Sequence, residues 1–199
     1  MADKPILFSG PMVRAILADE KTNTRRLYKL PRGMVWYDQL GGEQQGWYCS
    51  EDHENNGWWH VEEQRPPVAV GDVLWVREAH HISHTNAVMY RADYFECDPF
   101  SADDCGEDCS MVGERWRPSI HMPRWASRIT LKVTGVHIEK LQHMTRGDAM
   151  AEGCPFPNMA KGPNPLDWFR ELWDGINGKG SWASNPWVWV YEFKRESQP

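Results

Sequence analysis

Val70-Gly-Asp-Val-Leu-Trp-Val-Arg-Glu78 carries the clearest architectural signal in the chain. Gly71-Asp72 make a turn, Val73 to Val76 form a short apolar run, and Arg77-Glu78 end it in charge. A run of that length bounded by turn residues reads as a central strand over Val68 to Arg77. Working outward, Pro5-Ile-Leu-Phe-Ser9 reads as a second short strand. Pro11 to Leu17 sets Met12, Val13, Ile16 and Leu17 at helical spacing behind a proline suited to a first turn. Ala87 to Ala92 reads as a strand, and Ser127 to Val136 alternates through Ile129, Leu131 and Val133 as a half-buried one. Thr145 caps a short helix that stops at Gly153. Pro165 to Ile176 is an amphipathic helix with Leu166, Phe169, Leu172, Trp173 and Ile176 on one face. Trp187 to Phe193 closes the domain as a strand. Strands separated by mixed loops, with three short helices, predict an α+β fold: a small, strongly bent sheet or barrel with helices packed at its ends.

A chain of 199 residues, 41% of them hydrophobic, is long enough for one core, so a single domain over residues 1–199 is expected. Residues 32–66 are rich in Gly, Gln, Glu, Asn and Trp and read as a long loop or a pair of weak strands. An acidic, cysteine-bearing loop runs to about Glu114. The net charge of -6 argues against a protein that coats nucleic acid nonspecifically, and leaves room for a local basic cleft. No apolar run approaches the roughly 18 residues that span a bilayer, and the N-terminus lacks a basic-then-apolar signal, so a cytoplasmic location without membrane contact is expected. Five cysteines, an odd number, read better as thiols or metal ligands than as a disulfide framework.

Behind the first helix, Lys21-Thr-Asn-Thr-Arg-Arg26 packs an amine, two hydroxyls and two guanidinium groups together. On spacing alone this is as much a solvated helix cap as a site. With Val70 to Glu78 further on, the pattern Lys-x-x-Thr-x-Arg resembles the ASCH domains of the PUA-like superfamily. Trp168 to Gly178 and Asn185 to Phe193 are similar to phage-encoded members. In the family pattern Gly-x-Lys-x-x-Glu-x-Arg, Lys21 and Arg26 match, while Asp19 stands in place of Gly and Thr24 in place of Glu. The Thr variant is similar to small bacterial ASCH enzymes that remove the acyl group from N4-acetylcytidine. That likeness implies Lys21 as base, Thr24 as nucleophile and Glu78 as proton donor. It also implies a PUA-like small bent β-barrel with short flanking helices and insertions at about 37–64 and 94–115. The ligand it implies is a modified nucleoside or a single-stranded nucleic acid, with no required cofactor, in the host cytoplasm if the chain is phage-encoded.

The chemistry also stands on its own terms. Cleaving an amide takes a nucleophile, a base and an acid for the leaving amine. Lys21 and Thr24 are three residues apart, a spacing that puts both side chains on one side of a turn or helix end. Arg25 and Arg26 are cations that would lower the pKa of Lys21. The plainer reading of Glu78 is an ion pair with Arg26 or Arg77. A second constellation, Trp116 to Arg128, holds Arg117, His121, Arg124, Trp125 and Arg128, cationic and stacking groups suited to a nucleobase or single strand; the plainer alternative buries the tryptophans and pairs the arginines with carboxylates. Cys97, Cys105 and Cys109 form a third. They would make a structural zinc site with a fourth ligand from Cys49, His53 or His84, and are otherwise three reduced thiols. Two functions from different classes follow: a binding module that reads a modified base or single strand, and a hydrolase acting on an N-acylated cytosine nucleoside.

Overall fold

The structure, a computed structural model, describes residues 2–29, 34–38, 45–49, 65–94, 116–155 and 164–196. Its elements are β1 (Asp3–Leu7), α1 (Gly10–Leu17), β2 (Asn23–Leu27), β3 (Met34–Asp38), β4 (Gln45–Cys49), β5 (Val73–Arg77), β6 (His80–Ile82), β7 (Val88–Tyr90), β8 (Thr130–Lys140), α2 (Arg146–Ala151), α3 (Pro165–Asn177) and β9 (Trp187–Glu196). Five strands form one sheet in the order β1-β5-β8-β9-β2, with β1 parallel to β5 and the other pairs antiparallel. The pairs β3–β4 and β6–β7 are separate hairpins. The expected α+β class stands, and closure into the expected barrel is not seen among the described residues, where β1 and β2 are the sheet's two edges and no backbone ladder joins them. Instead an Arg26 Nη2 on β2 donates to the Leu7 carbonyl of β1 at 2.7 Å, so a side chain spans the gap between the edges. The register shift between Val133 and Gly135, where β8 slips against β9, is an irregularity of the kind that increases twist and bends a strand.

The Gly71-Asp72 turn organises the start of the sheet. Gly71 takes φ +87°, open to glycine and costly for a side chain. The Asp72 carboxylate accepts from the Ala2 amide at 2.8 Å, the Lys4 ammonium at 2.8 Å and the Ala69 amide at 3.1 Å. One side chain thus pins β1 alongside β5. Leu74 and Val76 are buried beneath α1 with Ile6, Val13, Ile16, Leu131 and Phe193. A second core forms where α2 and α3 lie on β9, from Leu141, Ala149, Phe169, Trp173, Val188 and Val190. β9 is therefore buried on both faces from Val188 to Tyr191, which is why its sequence is apolar without alternation.

The helices end where their residues dictate. Thr145 and Asp148 form a reciprocal capping box at the start of α2, and Asn164 caps α3 with its side chain. Gly153 follows α2 at φ +90°. Ile176 departs from the expected core face of α3: it is 58% exposed, while Phe169 and Trp173 are buried. No helix among the described residues is long and apolar enough to cross a membrane. Of the two expected insertions, 39–44 and 50–64 of the first and 95–115 of the second lie outside the described residues.

Candidate functional site

The Lys21 to Arg26 segment begins one residue past a left-handed turn. Asp19 has φ +58°, a conformation natural to Gly and tolerated by Asp, and its carboxylate pairs with Arg195 at 3.0 and 3.1 Å. This accounts physically for an Asp where the family pattern has Gly. Beyond it the backbone is extended rather than helical. Lys21 forms an isolated bridge to Glu152, and β2 follows. In an extended chain, alternate residues share a face, so Lys21 and Thr24, three apart, do not. The expectation that they sit on one side of a turn fails for that reason. Lys21 and Arg25 both reach Glu152, whereas Thr24 and Arg26 stand in register with Tyr191 and Trp189.

The Lys21 side chain is fully buried. Its Nζ donates to Glu152 Oε2 at 2.5 Å and to the Glu152 carbonyl at 2.8 Å. Arg25, also buried, reaches Glu152 Oε1 at 3.2 Å, Glu139 Oε1 at 2.8 Å and Asp148 Oδ1 at 3.5 Å. Two cations and three carboxylates thus tie β2 to the end of β8 and to α2. Burial pulls the Lys21 pKa below its ordinary value, with Glu152 acting in the opposite direction. The ring of Phe8 lies 5.6 Å from the Lys21 ammonium and 5.3 Å from the Arg26 guanidinium.

Glu78 has a different cation. Arg128 donates from Nε to Glu78 Oε1 at 2.9 Å and from Nη2 to Oε2 at 3.0 Å, and the same guanidinium holds Asp93 at 2.7 and 2.8 Å. It also stacks 4.0 Å from the Tyr90 ring centroid. Burial raises the Glu78 pKa above the ordinary carboxylate value, and Arg128 opposes the shift. The plainer reading of Glu78, an ion pair, is right in kind, but the partner is Arg128 rather than Arg26 or Arg77.

Cavities surround the first turn of α1. One, about 540 Å³, lies at the exit of β5 and is lined by Arg14, Glu78, Ala79, Arg91 and Tyr94. A second, about 440 Å³, shares Pro11 and Arg14 with it and runs between α1 and α3 past Met12, Glu152, Trp168 and Leu172. A small third, about 60 Å³, is lined by Thr24, Arg25, Arg26 and the α3 residues Phe169 and Trp173. Lys21, Thr24, Arg26 and Glu78 do not share one of these cavities: Glu78 lines that of about 540 Å³, Thr24 and Arg26 that of about 60 Å³, and Lys21 none of the three.

The second constellation divides as well. Trp125 is 63% exposed, so the reading that buries it does not hold. Arg124 pairs with Asp3 at 2.9 Å and lies over Trp75. Arg117 exchanges backbone hydrogen bonds with His80, and its side chain, like that of His121, is exposed. Trp116 is half-buried beside Tyr94. Of the arginines that could make a local basic cleft, Arg25, Arg124 and Arg128 are balanced by carboxylates. Cys97, Cys105 and Cys109 lie outside the described residues, and no group of three metal-ligating side chains occurs among the described ones. Glu152, Glu139, Asp148, Asp93, Arg14, Arg91 and Tyr94 were not anticipated. Only Asp148 carried a local signal, as third residue of a capping box.

No family model and no curated protein matches the chain. One solved structure similar to it is an ASCH domain from Lactobacillus crispatus JV V101, at a TM-score of 0.43 and 12% identity, over 98% of this chain and 79% of that one.

Proposed function

We propose that the chain is a nucleic-acid or modified-nucleobase binding domain of ASCH type, with the ligand seated in the cavity at the exit of β5. The observation that carries this reading is the lining of that cavity: the cations Arg14 and Arg91, the aromatic ring of Tyr94 and the acidic Glu78 surround about 540 Å³. A nucleotide presents the complementary groups. Phosphate suits arginine, a base has a π-face for a tyrosine ring, and its polar edge suits a carboxylate. Trp125, exposed outside the cavity, is available to stack a further base of a strand.

Deacylation of N4-acylated cytidine by Thr24, Lys21 and Glu78 is the second reading, and the depressed pKa of Lys21 is the observation in its favour. Binding is preferred because the Lys21 amine is already held by Glu152 and the Glu78 carboxylate by Arg128. Titration calorimetry with nucleoside monophosphates and short single-stranded oligonucleotides tests the proposal. Saturable binding that weakens with added salt and in Arg91→Gln is expected. Absence of saturable binding across the panel refutes it, and a mass change in N4-acylated cytidines would favour the hydrolase instead.

A further inference from the structure

We infer that His80 is a proton-operated latch on the β5-exit cavity: with a neutral ring, β6 stays closed on the Arg117 segment, and a protonated ring drives the two apart and loosens the cavity wall. The latch concerns the wall and not the ligand, so it goes beyond the binding reading and does not depend on it. His80 is fully buried, at 0% exposure. Its Nδ1 stands 3.2 Å from the Glu78 backbone carbonyl, and a carbonyl only accepts, so the neutral ring carries its proton on Nδ1. Nε2 is then the bare nitrogen, and it is buried with no hydrogen-bond partner among the described residues. A second proton enters there and creates a charge and an N–H donor with no acceptor to receive it.

The groups around the ring do not offset that charge. Arg117 and His121 face it from the segment beyond β6, His81 follows it on β6, Tyr90 stands in register on β7, and the Glu78 carboxylate just past β5 is taken by Arg128. Burial lowers the His80 pKa below its ordinary value, Arg117, His121 and His81 act the same way, and the Glu78 carbonyl opposes them. What the ring guards is a two-point contact. His80 and Arg117 exchange backbone hydrogen bonds at 3.2 and 2.8 Å, and the neighbouring Trp116 ring packs 5.5 Å from that of Tyr94. Between those points the Ala79 carbonyl accepts from the Arg91 amide at 2.9 Å. Glu78, Ala79, Arg91 and Tyr94 all line the cavity, so residues 116 and 117 hold its wall at both ends. The opened contact takes up its proton at the ordinary histidine value and the closed one only at lower pH. The latch is therefore fully stable above that value and weakens as pH falls from it toward the folded-state pKa.

The test is an NMR titration of the full chain from about pH 8 to about pH 5, reading the His80 ring and amide hydrogen exchange corrected for its intrinsic pH dependence. The ring is expected to titrate below 6.5. Protection of the His80, Arg117 and Tyr94 amides should fall by about tenfold per pH unit below that value, the slope of one proton, while the amides of the β8–β9 ladder hold. His80→Asn keeps an N–H for the Glu78 carbonyl and takes no proton, so its acid loss should vanish; His121→Asn, at an exposed position, should keep it. A ring that titrates at or above 6.5 overturns the inference, as does unchanged protection of the three amides across the range. A loss shared equally by the β8–β9 ladder overturns it too, since that is global unfolding. A His80→Asn protein that still loses protection in acid overturns the role of His80 and assigns the loss to the Glu78–Arg128 pair. Should that variant not fold, the wild type decides: the loss of protection must follow the titration of the His80 ring, and a loss at a different pH refutes the latch.

Discussion

Glu152→Gln tests whether Lys21 is held for structure or freed for chemistry. The substitution keeps the shape of the side chain and removes its charge from a place where Lys21 is 0%, Arg25 1% and Glu152 3% exposed. Lys21 then has no carboxylate partner, and Arg25 keeps Glu139 and Asp148. Breaking one side of a buried pair costs about 3–5 kcal/mol, because the remaining ion stays desolvated. At about 2–4 °C per kcal/mol for a domain of this size, the melting temperature should fall by roughly 6–20 °C. The pH dependence has a definite sign. The folded-state pKa of Lys21 already lies below the unfolded 10.5, and losing Glu152, which raises it, must push it lower. Between the two values the unfolded chain binds more protons, so the stability of the variant should climb as pH rises toward the unfolded pKa, from a lower starting pH than in the wild type. Lys21→Met combined with Glu152→Gln should recover part of the loss, since no buried charge is then left alone. Thermal melts followed by circular dichroism, with denaturant midpoints on the same proteins, measure all three quantities. A Glu152→Gln protein within about 1 kcal/mol of the wild type, with no alkaline recovery, would refute the reasoning.

The Asp72 carboxyl is held well below the usual range, first by the Lys4 hydrogen bond and then by the Ala2 and Ala69 amides. Its stabilisation is present above the ordinary carboxylate pKa and lost as pH falls through the depressed one, so Asp72→Asn should be destabilised at neutral pH and converge on the wild type in strong acid, as followed by unfolding across an acid series. Gly153→Ala should cost roughly 1–3 kcal/mol in a denaturant titration, because the new Cβ would stand 2.8 Å from that of Ala15 and 3.2 Å from that of Lys21, at φ +90°. Trp125→Ala should leave the melting temperature unchanged and weaken oligonucleotide binding by about 1–3 kcal/mol; full affinity in that variant would remove Trp125 from the interface.

Much of the fold was legible because its signals are local. The apolar run Val73 to Val76, the alternation through Leu131 and Val133, Pro11 at a first turn and Thr145 before Asp148 each act within a few residues, and each element formed. Boundaries drifted where tertiary pairing overrode pattern. β8 continues to Lys140 because β9 pairs with it that far. Ala87 to Ala92 shortened to Val88–Tyr90, since its partner is the three-residue strand β6 rather than the sheet. Closure of the sheet could not be read at all, for it depends on which edges meet, and no residue pattern records that.

The site was legible as a motif and not as a geometry. The motif spacing predicts that Lys21 and Thr24 share one side, but their separation follows from a period of two that only the extended backbone reveals. Each cation's partner lies far off in sequence: Glu152 stands 131 positions from Lys21, and Arg128 stands 50 from Glu78. Lys21 and Glu78 each meet an opposite charge outside the motif, Glu152 and Arg128, and no ion pair among the described residues joins the two clusters. The Phe8 amide is hydrogen-bonded to the Arg77 carbonyl beside Glu78, and its ring lies under Lys21 and Arg26. Two clusters that share no ion pair can be perturbed independently. Losing Glu152 should therefore be felt at Lys21 and Arg25, and losing Arg128 at Glu78 and Asp93, a division that a single shared catalytic unit would not produce.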